Sequence, residues 1–216
     1  MSDAGTTAAT SRHLLQVEQA RFHEPGRGAV GPLELVVDAG EIVLAVGGEG
    51  SGKSVLLRGC LGFVPTQAGR VSLFGTELTA LDHPALMALR GRCALASSST
   101  PLMANQSLFD NIALPLWMRG LPTAGFEVQA LIERLGLQDV AARRPDDVLP
   151  RQRDLARLAR SLAVPAELYL LDEPPMPPAA RALLRERIES GAGALIAVRH
   201  EALFPEAARR VLLEAP

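Results

Sequence analysis

Residues 47–54 are the part of the sequence whose composition and spacing point most directly to chemistry. They read Gly-Gly-Glu-Gly-Ser-Gly-Lys-Ser and fit the pattern G-x-x-x-x-G-K-[ST]. Glycines let the backbone of this phosphate loop wrap closely around a polyphosphate, and its N–H groups point inward at the anion. Lys53 adds a positive charge at the β- and γ-phosphates, and the Ser54 hydroxyl suits Mg²⁺. The candidate binding residues are Gly47, Gly48, Glu49, Gly50, Ser51, Gly52, Lys53, Ser54 and Val55.

Lys53 is also the only lysine of the chain. Lysine and arginine together number 22, and every other member of that group is arginine. Arginine does not substitute easily in a phosphate loop, because its wide planar fork does not fit where a compact ammonium does. The single lysine therefore favours a chemical role over the alternative of a glycine-rich turn with no ligand.

Two carboxylates follow a second apolar segment. Residues 168–171 read Leu-Tyr-Leu-Leu, and Asp172 and Glu173 come directly after them. In open α/β folds such strand ends lie at the sheet edge where ligands bind. We expect Asp172 to hold Mg²⁺ through water and Glu173 to polarise an attacking water. The alternative is a strand that simply ends in acidic loop residues.

His200 is a further candidate at a strand end. Residues 194–198 predict a third apolar strand, and Arg199 and His200 follow it. A lone histidine after a strand is more often a surface residue, but its place after a core strand makes it a candidate γ-phosphate sensor. The candidate catalytic residues are Lys53, Glu173 and His200, and the candidate metal ligands are Ser54 and Asp172.

The segments around these residues predict an α/β fold. The apolar run 41–46 predicts a buried strand before the phosphate loop, and residues 55–58 continue as a helix after it. With 216 residues the chain is long enough to bury one substantial core. We therefore expect a single domain at 13–216, preceded by a polar, disordered tail at 1–12.

Two further parts flank this core. Residues 13–46 read as short strands broken by a turn, and 69–75 read as one more, which predicts a small antiparallel β subdomain. Helical periodicity at 124–135 and 155–162 predicts a helical insert, and we expect a helical subdomain at about 98–162.

The overall composition excludes several classes of protein. A net charge of −2 lacks the excess of positive charge that is typical of proteins that bind nucleic acid. No segment approaches the roughly 20 apolar residues of a membrane-spanning helix, and the polar start argues against a secretory signal. Cys60 and Cys93 lack metal-site or disulfide spacing, so we expect both to be small core residues.

Taken in order, the motifs resemble ABC transporter ATPases over residues 13–214. The resemblance implies a P-loop NTPase core that binds ATP with Mg²⁺. It also implies two nucleotide-binding subunits in a head-to-tail dimer, each ATP lying between one phosphate loop and the other subunit's signature motif. An integral-membrane permease subunit is the second implied partner, which predicts a cytoplasmic location at the inner face of the cell membrane. Weaker features that carry the resemblance lie at residues 39–41, 69–75, 109–116, 158–162, 172–174 and 208–213.

The sequence departs from that family in three motifs. The signature LSGGQ corresponds to residues 148–152, which read Val-Leu-Pro-Arg-Gln. Neither Pro150, which has no N–H, nor the bulky Arg151 can reproduce the amide surface that contacts the opposite ATP. Counting back from residues 109–111, the family's Mg²⁺-contacting glutamine falls near Ser98, within the serine run 97–99, and Gln106 lies too late in the loop to match it. The D-loop at 175–179 has no aspartate.

The pattern of losses predicts an asymmetric assembly. Residues acting on the ATP of this chain's own phosphate loop survive, whereas those reaching the partner's ATP are gone. We expect a heterodimer with a subunit whose signature is intact, in preference to a homodimer, and slow hydrolysis that depends on Glu173. The alternatives are a non-hydrolysing regulatory or scaffolding subunit and a small-molecule kinase, for which no acceptor site or lid is recognisable.

Three large side chains have two interpretations each. Phe22 is either the residue that stacks on adenine or an ordinary core residue. Trp117 and Met118 either line a groove that receives the membrane subunit or pack in the core.

Overall fold

The computed structural model describes residues 13–26, 28–121 and 124–214, and the predicted tail at 1–12 lies outside them. The strands are β1 (His13–Glu24), β2 (Gly28–Asp38), β3 (Ile42–Val46), β4 (Thr66–Leu73), β5 (Thr76–Glu77), β6 (Cys93–Ala96), β7 (Leu168–Asp172), β8 (Gly193–Val198) and β9 (Arg209–Leu212). The α-helices are α1 (Lys53–Cys60), α2 (His83–Arg90), α3 (Leu108–Trp117), α4 (Ala124–Arg134), α5 (Pro150–Ala163) and α6 (Pro178–Glu189).

A parallel sheet with the strand order β6-β7-β8-β3-β9 forms the centre of the molecule. β3, β7 and β8 are apolar along almost their whole length because both faces of the sheet are covered. In the register of these strands Val46 lies opposite Val198, and Asp172 lies opposite Ala197. The carboxyl ends of the strands therefore meet at one edge of the sheet, where the candidate residues follow.

An antiparallel sheet with the order β2-β1-β4-β5 covers α1. Phe22 of β1 is fully buried, and its ring lies so close to α1 that a Cβ atom at Gly59 would approach it to 2.4 Å. Glycine at position 59 therefore lets the helix pack on the ring. Of the two interpretations of Phe22, the core residue is the one that the structure supports.

Helices α3, α4 and α5 form the helical insert and pack on one another through buried apolar side chains. Fully buried Asn111 on α3 holds the preceding loop, because its side chain accepts from the Met103 N–H at 2.6 Å and donates to the Ser107 carbonyl at 2.8 Å. Arg160 of α5 donates to the carbonyl oxygens of Thr100 and Pro101, at 2.6 and 3.0 Å. The insert is thus tied to the loop that follows β6.

The predicted α/β fold, with its antiparallel part and helical insert, is confirmed. Cys60 is buried and Cys93 is partly buried, as expected of small core residues. Burial raises the pKa of the Cys60 thiol far above its ordinary value and that of Cys93 to about 12. None of the helices in the described ranges has the length and apolar character that crossing a bilayer requires.

Candidate functional site

The phosphate loop connects β3 to α1 across the sheet edge. The Gly47 N–H donates to the Val198 carbonyl at 3.1 Å, which fixes the start of the loop to β8. Gly50 and Gly52 have φ values of 80° and 85°, in the left-handed region that favours glycine. Gly52 caps α1 without a side chain, and no acidic residue stands in the first turn of the helix. The amino end of α1 therefore offers its N–H groups and its positive dipole end to an anion.

Lys53 lies at the centre of this loop and is only 5% exposed. Its Nζ donates to the carbonyl oxygens of Gly47 and Gly48, at 2.7 and 2.6 Å, and lies 3.3 Å from Glu173 Oε1. The ammonium is therefore held by the loop backbone and by one of the predicted catalytic carboxylates.

Asp172 brings two hydroxyl groups together. Its Oδ2 accepts from Ser54 Oγ at 2.7 Å and from Ser97 Oγ at 2.9 Å. Ser97 directly follows β6, is 4% exposed, and accepts in turn from the Ser99 hydroxyl at 3.1 Å. Ser54 and Asp172, the two predicted metal ligands, thus lie in direct contact, and Ser97 is an additional member of the group.

Glu173 is fixed by its backbone and by two cations. Its N–H donates to the Ala197 carbonyl at 2.9 Å, and its φ of 44° is unusual for a residue other than glycine. Its Oε2 accepts from Arg199 Nε at 2.8 Å, while Oε1 faces Lys53. This hydrogen bond to Glu173 raises the pKa of Arg199 above its ordinary value.

These groups line a cavity of about 720 Å³, a size typical of small-ligand sites. Residues 49–55 form one wall, and Ser97, Asp172 and Arg199 lie at the strand ends. Arg157 of α5 also lines the cavity. Its Nη1 pairs with Asp154, and its buried Nε has no hydrogen bond within the described part of the chain.

His200 is the predicted catalytic residue that the cavity does not include. It is exposed and precedes the short 3-10 turn Glu201–Leu203, and it is not among the described residues of the lining. Arg199, one residue earlier, occupies the cavity wall instead.

Comparison with known proteins identifies the family. The sequence profile of the ABC transporter family matches residues 30–176, a span that includes the phosphate loop, Asp172 and Glu173. The chain belongs to the ABC transporter family. The resemblance predicted from the order of the motifs is therefore confirmed.

Curated ABC relatives include methionine import ATP-binding proteins of several bacteria. The protein of Brucella abortus is 32% identical over 167 residues, which are 76% of this chain and 45% of that protein. The protein of Rhodopseudomonas palustris is 35% identical over 147 residues, or 67% of this chain and 40% of that protein. The chain thus spans less than half the length of these relatives.

Solved ABC structures share the fold at low sequence identity. An ATP-binding subunit of an ABC transporter superposes with a TM-score of 0.76 at 21% identity, covering 93% of this chain and 85% of that one. A dimeric bacterial ABC transporter cassette gives a TM-score of 0.81 at 19% identity and covers 93% of this chain and 94% of its own. The fold is therefore that of an ABC cassette.

Residues 148–152, the predicted counterpart of the ABC signature motif, lie around the start of α5. Helix α5 begins at Pro150, and Leu149 before it is 67% exposed. The Gln152 side chain turns back and accepts from the Leu149 N–H at 2.9 Å. The start of this helix therefore presents an apolar side chain and a proline nitrogen that carries no hydrogen, where an anion needs N–H donors.

Sequence reasoning missed three members of the site: Ser97, Arg157 and Arg199. Counting along the loop predicts a position near Ser98, which lines the cavity, but the bond to Asp172 is made by Ser97. Arg199 stands beside a predicted candidate, and its position at the end of a core strand was the available signal. Nothing in the sequence distinguishes Arg157 from the other arginines of α5.

Proposed function

We propose that this chain binds Mg-ATP on its phosphate loop and hydrolyses it slowly to drive a separate membrane permease. The observation that carries the proposal is the convergence of Lys53, Asp172 and Glu173 on one cavity beside the amino end of α1. Membership of the ABC transporter family supports ATP as the ligand.

Ser54, Asp172 and Ser97 fit a Mg²⁺ site. Mg²⁺ favours oxygen ligands, keeps several waters and is commonly held by one or two carboxylates together with phosphate oxygens. Asp172 Oδ2 already gathers two hydroxyl groups. In the described residues no cluster of three or more His, Cys, Asp or Glu is placed to hold a metal by itself, which agrees with an ion shared with ATP. When bound, Mg²⁺ neutralises charge on the β- and γ-phosphates.

Hydrolysis in this proposal is an in-line attack of water on the γ-phosphorus, which breaks the bond to the bridging oxygen and releases ADP. Glu173 orients the water and accepts its proton. Lys53 and the N–H groups of the phosphate loop stabilise the negative charge that develops on the phosphoryl oxygens. His200 keeps the proposed role of γ-phosphate sensor, because it follows the cavity residue Arg199 directly.

Replacing Asp172 with asparagine tests the metal site. The amide keeps the size of the side chain but loses the charge that favours Mg²⁺. We expect Asp172→Asn to raise the Mg²⁺ concentration needed for half-maximal tightening of ATP binding by about 10- to 100-fold, measured by calorimetric titration. Asp139→Asn, at an exposed carboxylate outside the cavity lining, is the control. An equal Mg²⁺ requirement in all three proteins would contradict the assignment.

The second nucleotide-binding subunit in this proposal is a different protein with an intact signature motif. The support is the start of α5, where the Leu149 N–H is already bonded to the Gln152 side chain and Pro150 has no N–H to offer an ATP on the opposite subunit. Two copies of this chain would form two sites, neither of which has a signature. A heterodimer gives the phosphate loop of this chain one complete site.

The membrane subunit in this proposal contacts the end of α3. Trp117 is 45% exposed and Met118 is 79% exposed, so the alternative of core packing is wrong for both. Phe109 packs against Trp117 with ring centroids 6.4 Å apart, and Leu121 extends the exposed apolar surface. This apolar surface supports a membrane-subunit contact, and hence a location at the inner face of the membrane.

Met118→Asp tests this contact because it places a charge at the most exposed of these apolar side chains. We expect it to lower co-purification with the membrane subunit about tenfold or more. Met87→Asp, at a half-exposed methionine on α2, is the matched control. Co-purification that is equal in the two variants would contradict the proposed surface.

A further inference from the structure

Arg199 forms a hydrogen-bonded ion pair with Glu173, the carboxylate on which the proposed hydrolysis depends. Its Nε lies 2.8 Å from Glu173 Oε2, and the other oxygen of the same carboxylate lies 3.3 Å from Lys53 Nζ. Each oxygen of Glu173 therefore has its own cation. The carboxylate is held from two sides at the edge of the cavity.

The backbone leaves Glu173 little freedom of its own. Its N–H is bonded to Ala197 on β8, the strand that ends directly before Arg199. Its left-handed φ is one that side chains other than glycine adopt at a cost, so the surrounding structure must hold it there. Glu173 follows the end of β7, and Arg199 follows the end of the neighbouring strand β8. Because the backbone of Glu173 is fixed there, the place of its carboxylate depends mainly on the rotation of its side chain toward Lys53 or Arg199.

A bound triphosphate changes the balance between the two cations. The β- and γ-phosphates would attract the Lys53 ammonium, and this would weaken its ion pair with Glu173. The Arg199 side chain is half-exposed. Its only other ion pair among the described residues is with Glu49, where Arg199 Nη1 lies 3.7 Å from Glu49 Oε2. With a triphosphate bound, Arg199 would then be the cation that stays beside Glu173.

We propose that Arg199 is a positioning residue that holds the Glu173 carboxylate at the cavity edge for its action on the attacking water. This inference rests on the proposed function, because it concerns the orientation of the proposed base. Arg199 acts through Glu173 and does not itself contact ATP in this proposal. A positioned base contributes through geometry, so loss of its orientation lowers kcat and leaves ATP binding almost unchanged.

The test is ATP hydrolysis by Arg199→Gln, Arg199→Lys, Glu173→Gln and the double variant Arg199→Gln/Glu173→Gln, with the Kd for Mg-ATP measured in parallel. We expect Arg199→Gln to lower kcat about tenfold with Kd changed less than about threefold, and Arg199→Lys to restore part of the loss. In the Glu173→Gln background the arginine change should have no further effect, because the group it positions is gone. An effect transmitted through the neighbouring His200 would persist in that background and would overturn the inference.

Arg210→Gln is the matched control. Arg210 is also a partly exposed arginine in an ion pair, 2.8 Å from Glu201, and lies outside the cavity lining. The substitution Arg210→Gln removes the same charge as Arg199→Gln and should change neither kcat nor Kd.

The remaining outcomes separate the two proposals. A loss of ATP affinity of tenfold or more with kcat unchanged would make Arg199 a nucleotide-binding residue and overturn the inference. Unchanged kcat in Arg199→Gln beside an inactive Glu173→Gln would overturn the inference alone. A wild-type chain without turnover, or full activity of Glu173→Gln, would overturn the proposed function and the inference together.

Discussion

Glu173→Gln is expected to lower kcat for ATP hydrolysis by about 100- to 10,000-fold, the usual contribution of a positioned proton acceptor. The amide keeps the size and shape of the side chain, but it cannot accept a proton from water. Its NH2 group also cannot accept from a cation, so only one of the contacts to Lys53 and Arg199 can be kept. ATP binding should stay within about threefold, because the phosphate loop is untouched. Release of labelled phosphate under single-turnover conditions measures the chemical step even when turnover is slow.

Glu189→Gln provides the comparison, since Glu189 is an exposed carboxylate at the end of α6. Its hydrolysis rate should equal that of the unmodified chain. Unchanged hydrolysis by Glu173→Gln would remove this residue from the mechanism. Tight ATP binding without turnover in every protein would support a non-hydrolysing regulatory or scaffolding subunit instead.

The same Glu173→Gln variant tests the proposed heterodimer, because it retains ATP long enough for an assembly to be observed. With Mg-ATP it should sediment as a single chain, since the start of α5 offers no signature surface to a second copy. An ATP-dependent dimer of this chain alone would contradict that reasoning.

Lys53→Ala is expected to weaken Mg-ATP binding about 100-fold, measured by calorimetric titration. The substitution removes a charged donor from the phosphates, and such interactions contribute about 1.5–3 kcal/mol each. It also leaves the carbonyl oxygens of Gly47 and Gly48 and one oxygen of Glu173 without the ammonium. Thermal unfolding should be compared in parallel, so that a loss of folding is not taken for a loss of binding.

Lys53→Arg separates charge from shape at the same position. The guanidinium keeps the charge but is wider than the 5% exposed site that the ammonium fills. We expect binding much closer to that of Lys53→Ala than to that of the unmodified chain. Full binding by Lys53→Arg would contradict the explanation for the single lysine in an arginine-rich chain.

Local patterns made the central part of the fold predictable. A buried strand, a glycine-rich turn and a helix are contiguous in sequence, so residues 47–54 identify the phosphate loop without tertiary information. Asp172 and Glu173 follow an apolar run, and parallel strands bring such ends to one edge. Their roles in catalysis and metal binding stay predictions, as does the division into a tail and one domain.

The parts that could not be predicted depend on register and on contacts between distant segments. β6 ends at Ala96, and a count along the loop that follows cannot show which of the adjacent serines faces Asp172; in the structure it is Ser97. The pair of Arg199 and Glu173 depends on the alignment of β7 with β8. The exposure of Trp117 and Met118 depends on how the end of α3 packs against α4 and α5, which the sequence of α3 alone does not show.

The burial of Lys53 has a practical consequence for solution studies. Apart from a terminal amine, these 216 residues contain one ε-amino group, and it lies inside the phosphate loop. Reductive methylation with ¹³C-formaldehyde would introduce a single side-chain NMR signal, and that signal would report on the site itself. Amine-reactive reagents would likewise have one internal target, so protection of that amine by nucleotide would measure occupancy of the loop directly.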